Sequence, residues 1–137
     1  MLVACLLGTI LGVEREIHQK AAGVRTNALI ALGAALFTIV GFEMTKDTGD
    51  PSRVASTIVT GIGFLGAGAI LRTGTNIHGL TTAATIWVNA AIGMAAGAGA
   101  YALAVSATTI SVVVLWIVGV FERRIERKIA KNHPKSA

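Results

Sequence analysis

From Thr81 to Phe121 the chain carries no Asp, Glu, Lys or Arg. As helix, at about 1.5 Å per residue, this run is roughly twice the thickness of a bilayer's hydrocarbon core, which predicts two spans folded back on each other. The fold-back falls at Gly97-Ala98-Gly99-Ala100, where glycine turns the backbone without a Cβ penalty and Tyr101 supplies an amphipathic ring for the interface. The fourth and fifth helices are therefore expected over about Leu80 to Ala96 and Tyr101 to Phe121.

The same pattern predicts three earlier helices. Met1 to Val13 is uncharged and apolar or small, but covers only about two thirds of a bilayer core. Either it lies inside a longer natural helix or the first helix is short. A cleaved signal would need a basic n-region and a small-x-small cleavage site, and neither is present. The second span is expected from about Asn27 to Phe42, with Arg25-Thr26-Asn27 offering an interfacial charge and two N-cap candidates, and Glu43 at its far end. Asp50 as cap and Pro51 at the first helical position open the third, Pro51 to Leu71. The fold class expected is an all-α membrane protein, a bundle of about five transmembrane helices over residues 1–121 with a basic cytoplasmic tail over residues 122–137.

Composition agrees: 53% hydrophobic, 14% charged and 16 glycines in 137 residues depart from soluble usage towards apolar and small side chains. The basic balance, net +5, is concentrated from Arg123 to Lys135 behind an apolar run, which points to anionic lipid headgroups and away from nucleic acid. The tail either continues the last helix along the membrane surface, with Phe121, Ile125 and Ile129 on one face, or is a solvated topological signal. With alternating loops, Glu14 to Thr26, Arg72 to Gly79 and the tail share one side. Only Lys46 and Arg53 of the 12 basic residues then fall on the other side. Under the positive-inside rule the C-terminus is cytoplasmic and the N-terminus outside. Cys5 is the single cysteine and has no metal-ligand neighbours in sequence.

Lipid removes most of the hydrophobic drive between helices, so small residues that permit close backbone approach carry much of the association. Gly61 and Gly68 fall on one side of the third helix, with Gly63 and Gly66 on roughly the opposite side, and that helix is expected to be central, gripped by two neighbours. The literal match of Gly61-Ile62-Gly63-Phe64-Leu65-Gly66 to a dinucleotide fingerprint is rejected, because it lies inside an apolar helix and follows no strand. Gly8 with Gly12, and Gly93 with Gly97, share small-xxx-small spacing and suit either internal packing or a homodimer. Thr82, Thr85, Asn89 and Gly93 form a narrow polar-and-small stripe on the fourth helix. Asn89 belongs either to a functional path or docking contact, or to an interhelical hydrogen bond.

Glu14, Arg15 and Glu16 stand at the cytoplasmic end of the first helix, on the side of Arg25 and Arg72, and are expected to join them in an ion-pair cluster fastening three helices. A cation or a basic partner group is the functional alternative for Glu14 and Glu16. Glu43, Asp47 and Asp50 are a weaker divalent-cation candidate, and no cofactor is expected. His18, His78 and His133 lack metal-ligand spacing, and no nucleophile has an evident base, so no enzyme activity is expected.

Four blocks in order carry a resemblance: Gly12-Val13-Glu14-Arg15-Glu16; Ala22-Gly23-Val24-Arg25-Thr26; Thr60 to Gly68; and Gly79-Leu80-Thr81-Thr82-Ala83-Ala84 with Trp87. The sequence resembles the MgtC/SapB family of bacterial membrane proteins, closely to about Tyr101 and more loosely through the fifth span. The resemblance implies a polytopic inner-membrane protein linked to growth under magnesium limitation and, in intracellular pathogens, to survival in macrophages. For that family, magnesium transport was an early idea and regulation of other membrane machinery, including the proton-translocating ATP synthase, a later one. Three functions follow: a regulator docking laterally on another membrane protein, a divalent-cation channel or transporter with Glu14, Glu16, Glu43 or Asn89 as ligands, and a self-associating structural component with its dimer surface at Gly8, Gly12, Gly93 and Gly97.

Overall fold

The computed structural model describes residues 1–46 and 49–132, with side chains described as far as Phe121. Five helices form among the described residues: α1 (Leu2–Ile17), α2 (Val24–Thr45), α3 (Pro51–Gly68), α4 (Leu80–Gly97) and α5 (Tyr101–Asn132). The all-α bundle is thus the fold. Val24–Thr45, Leu80–Gly97 and Tyr101–Phe121 are long and apolar enough to cross a membrane. By contrast α1 has 16 residues, and α3 carries Ser52, Arg53, Ser56, Thr57 and Thr60 among its 18. The last helix runs unbroken past Phe121 to Asn132, across the expected border between bundle and tail. Asp47 and residues 133–137 lie outside the described residues, as do the tail's side chains, on which the lipid-contact expectation rests.

Local chemistry sets the helix ends. Before α2, the Glu16 carboxylate accepts the Val24 amide at 2.9 Å, so the helix starts at Val24, ahead of the expected Asn27. Asp50 caps α3, accepting from the Ser52 amide at 2.9 Å and its hydroxyl at 2.8 Å, with Pro51 next in line. Both Ser52 bonds favour the charged carboxylate and hold Asp50 below its ordinary value of 3.8. At the fold-back, Gly99 takes φ +79, while the Ala100 amide reaches the Ala95 carbonyl at 2.9 Å and the Gly99 amide that of Ala96 at 3.3 Å. This is a Schellman cap, and it turns the chain into α5 at once.

Between α3 and α4 lies an element the hydrophobic pattern does not announce. Strands β1 (Leu71–Thr73) and β2 (Asn76–His78) pair antiparallel, Leu71 opposite His78 and Thr73 opposite Asn76. Both are fully exposed, so no apolar face marks them in the sequence.

The centre of the bundle is α2 pressed between α1 and α4. A Cβ on Gly8 would stand 2.6 Å from the Asn27 carbonyl oxygen, and one on Gly12 would stand 2.6 Å from the Val24 Cα. On the other flank a Cβ on Gly97 would stand 2.6 Å from the Ala35 carbonyl oxygen, and one on Gly93 would run into that of Ala31. Both glycine pairs are therefore used inside the bundle, which removes them as the expected dimer surface. Ala4, Leu11, Ala31, Ala35, Ile92 and Ala96 make the core between them.

The third helix is not central, contrary to expectation. Only Ile58 and Gly66 of α3 are buried, and among the described residues a Cβ on Gly61, Gly63 or Gly68 would meet nothing within 4 Å. Because α2 and α4 touch backbone to backbone, no gap remains between them for α3, which lies outside with Gly66 against Ala83 and Val54 against Gly41.

Gly93→Ala is therefore expected to lower stability by about 1–3 kcal/mol through overpacking, whereas Gly63→Ala is expected to be neutral or stabilising by up to about 1 kcal/mol. Reversible unfolding in mixed micelles measures both, and equal losses would refute the arrangement. For Asp50, a depressed folded-state value means that its stabilisation is complete above 3.8 and is lost as pH falls below it. Asp50→Asn is expected to flatten the acid limb of a thermal-stability profile; an unchanged limb would show that the cap contributes nothing.

Candidate functional site

Polar side chains gather where α1 ends and α2 and α4 begin. Helices α2 and α4 run parallel, and the stripe Asn27, Ala31, Ala35 on one meets Asn89, Gly93, Gly97 on the other. Asn89 is 0% exposed, and its Nδ2 donates to the Asn27 carbonyl at 2.6 Å and to Asn27 Oδ1 at 3.1 Å. Asn27, also 0% exposed, donates onward to the carbonyls of Gly23, at 3.1 Å, and Ala22. One amide thus bonds the loop before α2 while it receives the other from α4. Asn89 Oδ1 is buried without a hydrogen-bond partner among the described residues.

One to two turns towards the helix ends, Arg15 is only 3% exposed, and its Nη2 donates to Thr82 Oγ1 at 2.9 Å. Thr85 Oγ1 turns back to the Thr81 carbonyl at 2.8 Å. The whole stripe Thr82, Thr85, Asn89, Gly93 is buried. It faces α1 and α2, and its two polar members with outside partners bind Arg15 and Asn27.

The expected ion-pair cluster does not form among the described residues. Glu14 Oε1 pairs with His18 Nδ1 at 3.0 Å, Glu16 is taken by the Val24 amide, and Arg15 bonds a hydroxyl. Arg25, exposed in the first turn of α2, lines the groove towards α3, while Arg72 Nε closes its own hairpin onto the Gly74 carbonyl at 3.0 Å. Glu16 does fasten two helices, but through a backbone amide. On the opposite end Glu43 pairs with Lys46 at 2.6 Å and Asp50 caps α3, so two of the three carboxylates weighed as cation ligands have other partners.

Asn27 is the residue sequence reasoning misplaced. It is one of two N-cap candidates by sequence, yet the cap is Gly23 and Asn27 is core. The signal was its four-residue spacing with Ala31 and Ala35, which matches that of Asn89, Gly93 and Gly97.

Two concavities adjoin these residues. A groove of about 950 Å³ between α2 and α3 is apolar, with Leu29, Gly33, Phe37, Ile58 and Gly61 along it and Arg25 at one end. A cavity of about 600 Å³ at the polar end lies among Glu14, Arg15, Lys20, His78, Thr82 and the α5 wall of Val114 and Val118.

Spans joined by backbone contact, with an amide pair and a guanidinium tied between them, define a polytopic α-helical membrane protein. The chain belongs to the MgtC family, whose family model matches residues 1–124. It is 51% identical to Protein MgtC of Salmonella typhimurium over 110 residues, which is 80% of this chain and 47% of that protein. To Protein MgtC of Brucella abortus it is 48% identical over 111 residues, 81% of this chain and 46% of the relative. The chain thus spans about half the length of the curated relatives it matches. No solved structure matches it.

In a double-mutant cycle with Asn27→Leu and Asn89→Leu, a coupling of about 1 kcal/mol is expected in micelle unfolding, the range for interhelical amide bonds. Strict additivity would show that the two amides do not bond in the folded protein.

Proposed function

We propose that this MgtC-family protein is a non-enzymatic inner-membrane regulator. It acts in adaptation to low magnesium or stress by docking laterally on another membrane protein, for which the proton-translocating ATP synthase is one candidate. The observation carrying this reading is that Gly61 and Gly68, on one side of α3, meet nothing within 4 Å among the described residues, while the pairs Gly8 with Gly12 and Gly93 with Gly97 are filled. In lipid, an uncovered glycine face is where a further helix gains most by approaching. The adjoining groove between α2 and α3, floored by Gly33 and Gly61, extends that surface.

The distribution of basic residues over the two ends of the bundle supports an orientation. Arg15, Lys20, Arg25 and Arg72 stand at the end where α1 finishes and α2 and α4 begin, and Lys46 and Arg53 at the other. The positive-inside rule puts the first end in the cytoplasm, with the C-terminus inside and the N-terminus outside. The divalent-cation transport alternative draws less support, since Glu16 and Glu43 are committed to the Val24 amide and to Lys46.

A photo-crosslinker in place of Phe64, which is exposed on the side of Gly61 and Gly68, is expected to capture a different membrane protein in cells grown at low magnesium. Gly61→Leu should abolish that capture and leave thermal stability unchanged. Crosslinks to copies of this chain alone would favour the self-associating component instead.

A further inference from the structure

The groove between α2 and α3 is open at one end, closed at the other and charged only at its mouth. Leu29, Gly33 and Phe37 line it from α2, and Thr57, Gly61 and Leu65 from α3. A Cβ on Gly33 or Gly61 would meet no described atom within 4 Å, so the middle is free for an occupant. The groove reaches back between the two helices as far as Ile86 on α4. At the far end Val54 closes it, since a Cβ on Gly41, one turn beyond Phe37, would stand 2.7 Å from Val54 Cγ1. The Thr57 hydroxyl is spent on the Arg53 carbonyl at 2.9 Å, which leaves the walls without a free polar group below the mouth.

Length separates the two occupants that a membrane offers, a partner's span and a phospholipid. At about 1.5 Å per residue, Arg25 to Phe37 covers about 18 Å, a little over half of a bilayer core about 30 Å thick. A span needs a seat across the whole core, whereas a phospholipid occupies one leaflet and ends where Val54 shuts the groove. Charge makes the same choice. Arg25 stands exposed at the mouth, and among the described residues its guanidinium has no hydrogen bond or ion pair. It shares a polar shelf with Glu16, Gln19, Lys20 and Thr26, on which Glu16 already accepts the Val24 amide. Two cations against one engaged carboxylate suit a headgroup of net negative charge. We propose that the groove holds one anionic phospholipid of the leaflet on the Arg25 side, its phosphodiester on Arg25 and its acyl chains along Gly33 and Gly61. The site does not rest on lateral docking, and a partner that enters the groove has to displace the lipid.

The test places the full chain in nanodiscs of mixed phosphatidylglycerol and phosphatidylethanolamine with identical acyl chains, one lipid at a time carrying a chain diazirine, and maps the labelled peptides. Labelling of Leu29, Phe37 and Leu65 is expected to be about five-fold stronger from phosphatidylglycerol, the effect of one basic residue on an anionic headgroup. Leu103 and Ile110, exposed on α5, should label equally from both lipids. Arg25→Gln should erase the preference in the groove and Arg25→Lys retain it. Gly33→Phe, at an open position, should cut groove labelling from both lipids. Groove labelling without a preference, or a preference unchanged by Arg25→Gln and Gly33→Phe, would mean ordinary annular contact and overturn the proposal. In cells, a photo-crosslinker in place of Phe37 is expected to yield a lipid adduct. A protein adduct there would assign the groove to a partner's span and overturn the lipid site, while leaving capture at Phe64 to decide lateral docking by itself.

Discussion

Backbone contact without intervening side chains is what the bundle depends on. In lipid, burying a leucine between helices gains little over leaving it in the hydrocarbon, so association rests on how closely two backbones can lie. Here α2 is approached from both flanks, by Gly8 and Gly12 on α1 and by Gly93 and Gly97 on α4. The small residues Ala31 and Ala35 are shared between the two contacts. Much else follows from that clamp, including which faces are internal, which amides meet and which helix is left outside.

The clamp also decides where polar groups can be kept. Close approach of α2 and α4 brings Asn27 and Asn89 together, so the amides bond each other and the carbonyls of Ala22 and Gly23. Gly12 against Val24 draws the ends of α1 and α2 together and lets Glu16 cap α2. Arg15 is then directed at Thr82 and Glu14 at His18. The result is a bundle firmly tied at one end, with small-residue surface left uncovered along α3 among the described residues.

Helix placement was legible because membrane depth is written in charge-free lengths and helix ends in local chemistry. Asp50-Pro51 and Gly99 act within a few residues of themselves, and the structure uses them as caps. Which glycine face meets which helix was not legible, since Gly61 and Gly63 carry the same local signal as Gly93 and Gly97. Only the pairing of α2 with α4 separates them. Asn27 was missed for the same reason: a cap and a core amide at a helix start look alike until the facing stripe is known. The exposed hairpin between α3 and α4 has no buried face to give a period of two, and Arg72 spends its reach inside it. The stripe of Thr82, Asn89 and Gly93 was readable from helical spacing, but not its partners, which come from residues more than sixty positions away in the chain.

The clamp on α2 is tested most directly by solid-state NMR on the full chain in bilayers, with glycine Cα and alanine carbonyl carbons labelled. Through-space cross-peaks are expected between Ala31 and Gly93 and between Ala35 and Gly97, while Gly61 and Gly63 show none to any residue of α2. Missing Ala31 and Ala35 cross-peaks, together with contacts from Gly61 or Gly63 to α2, would contradict the account and put α3 at the centre of the bundle.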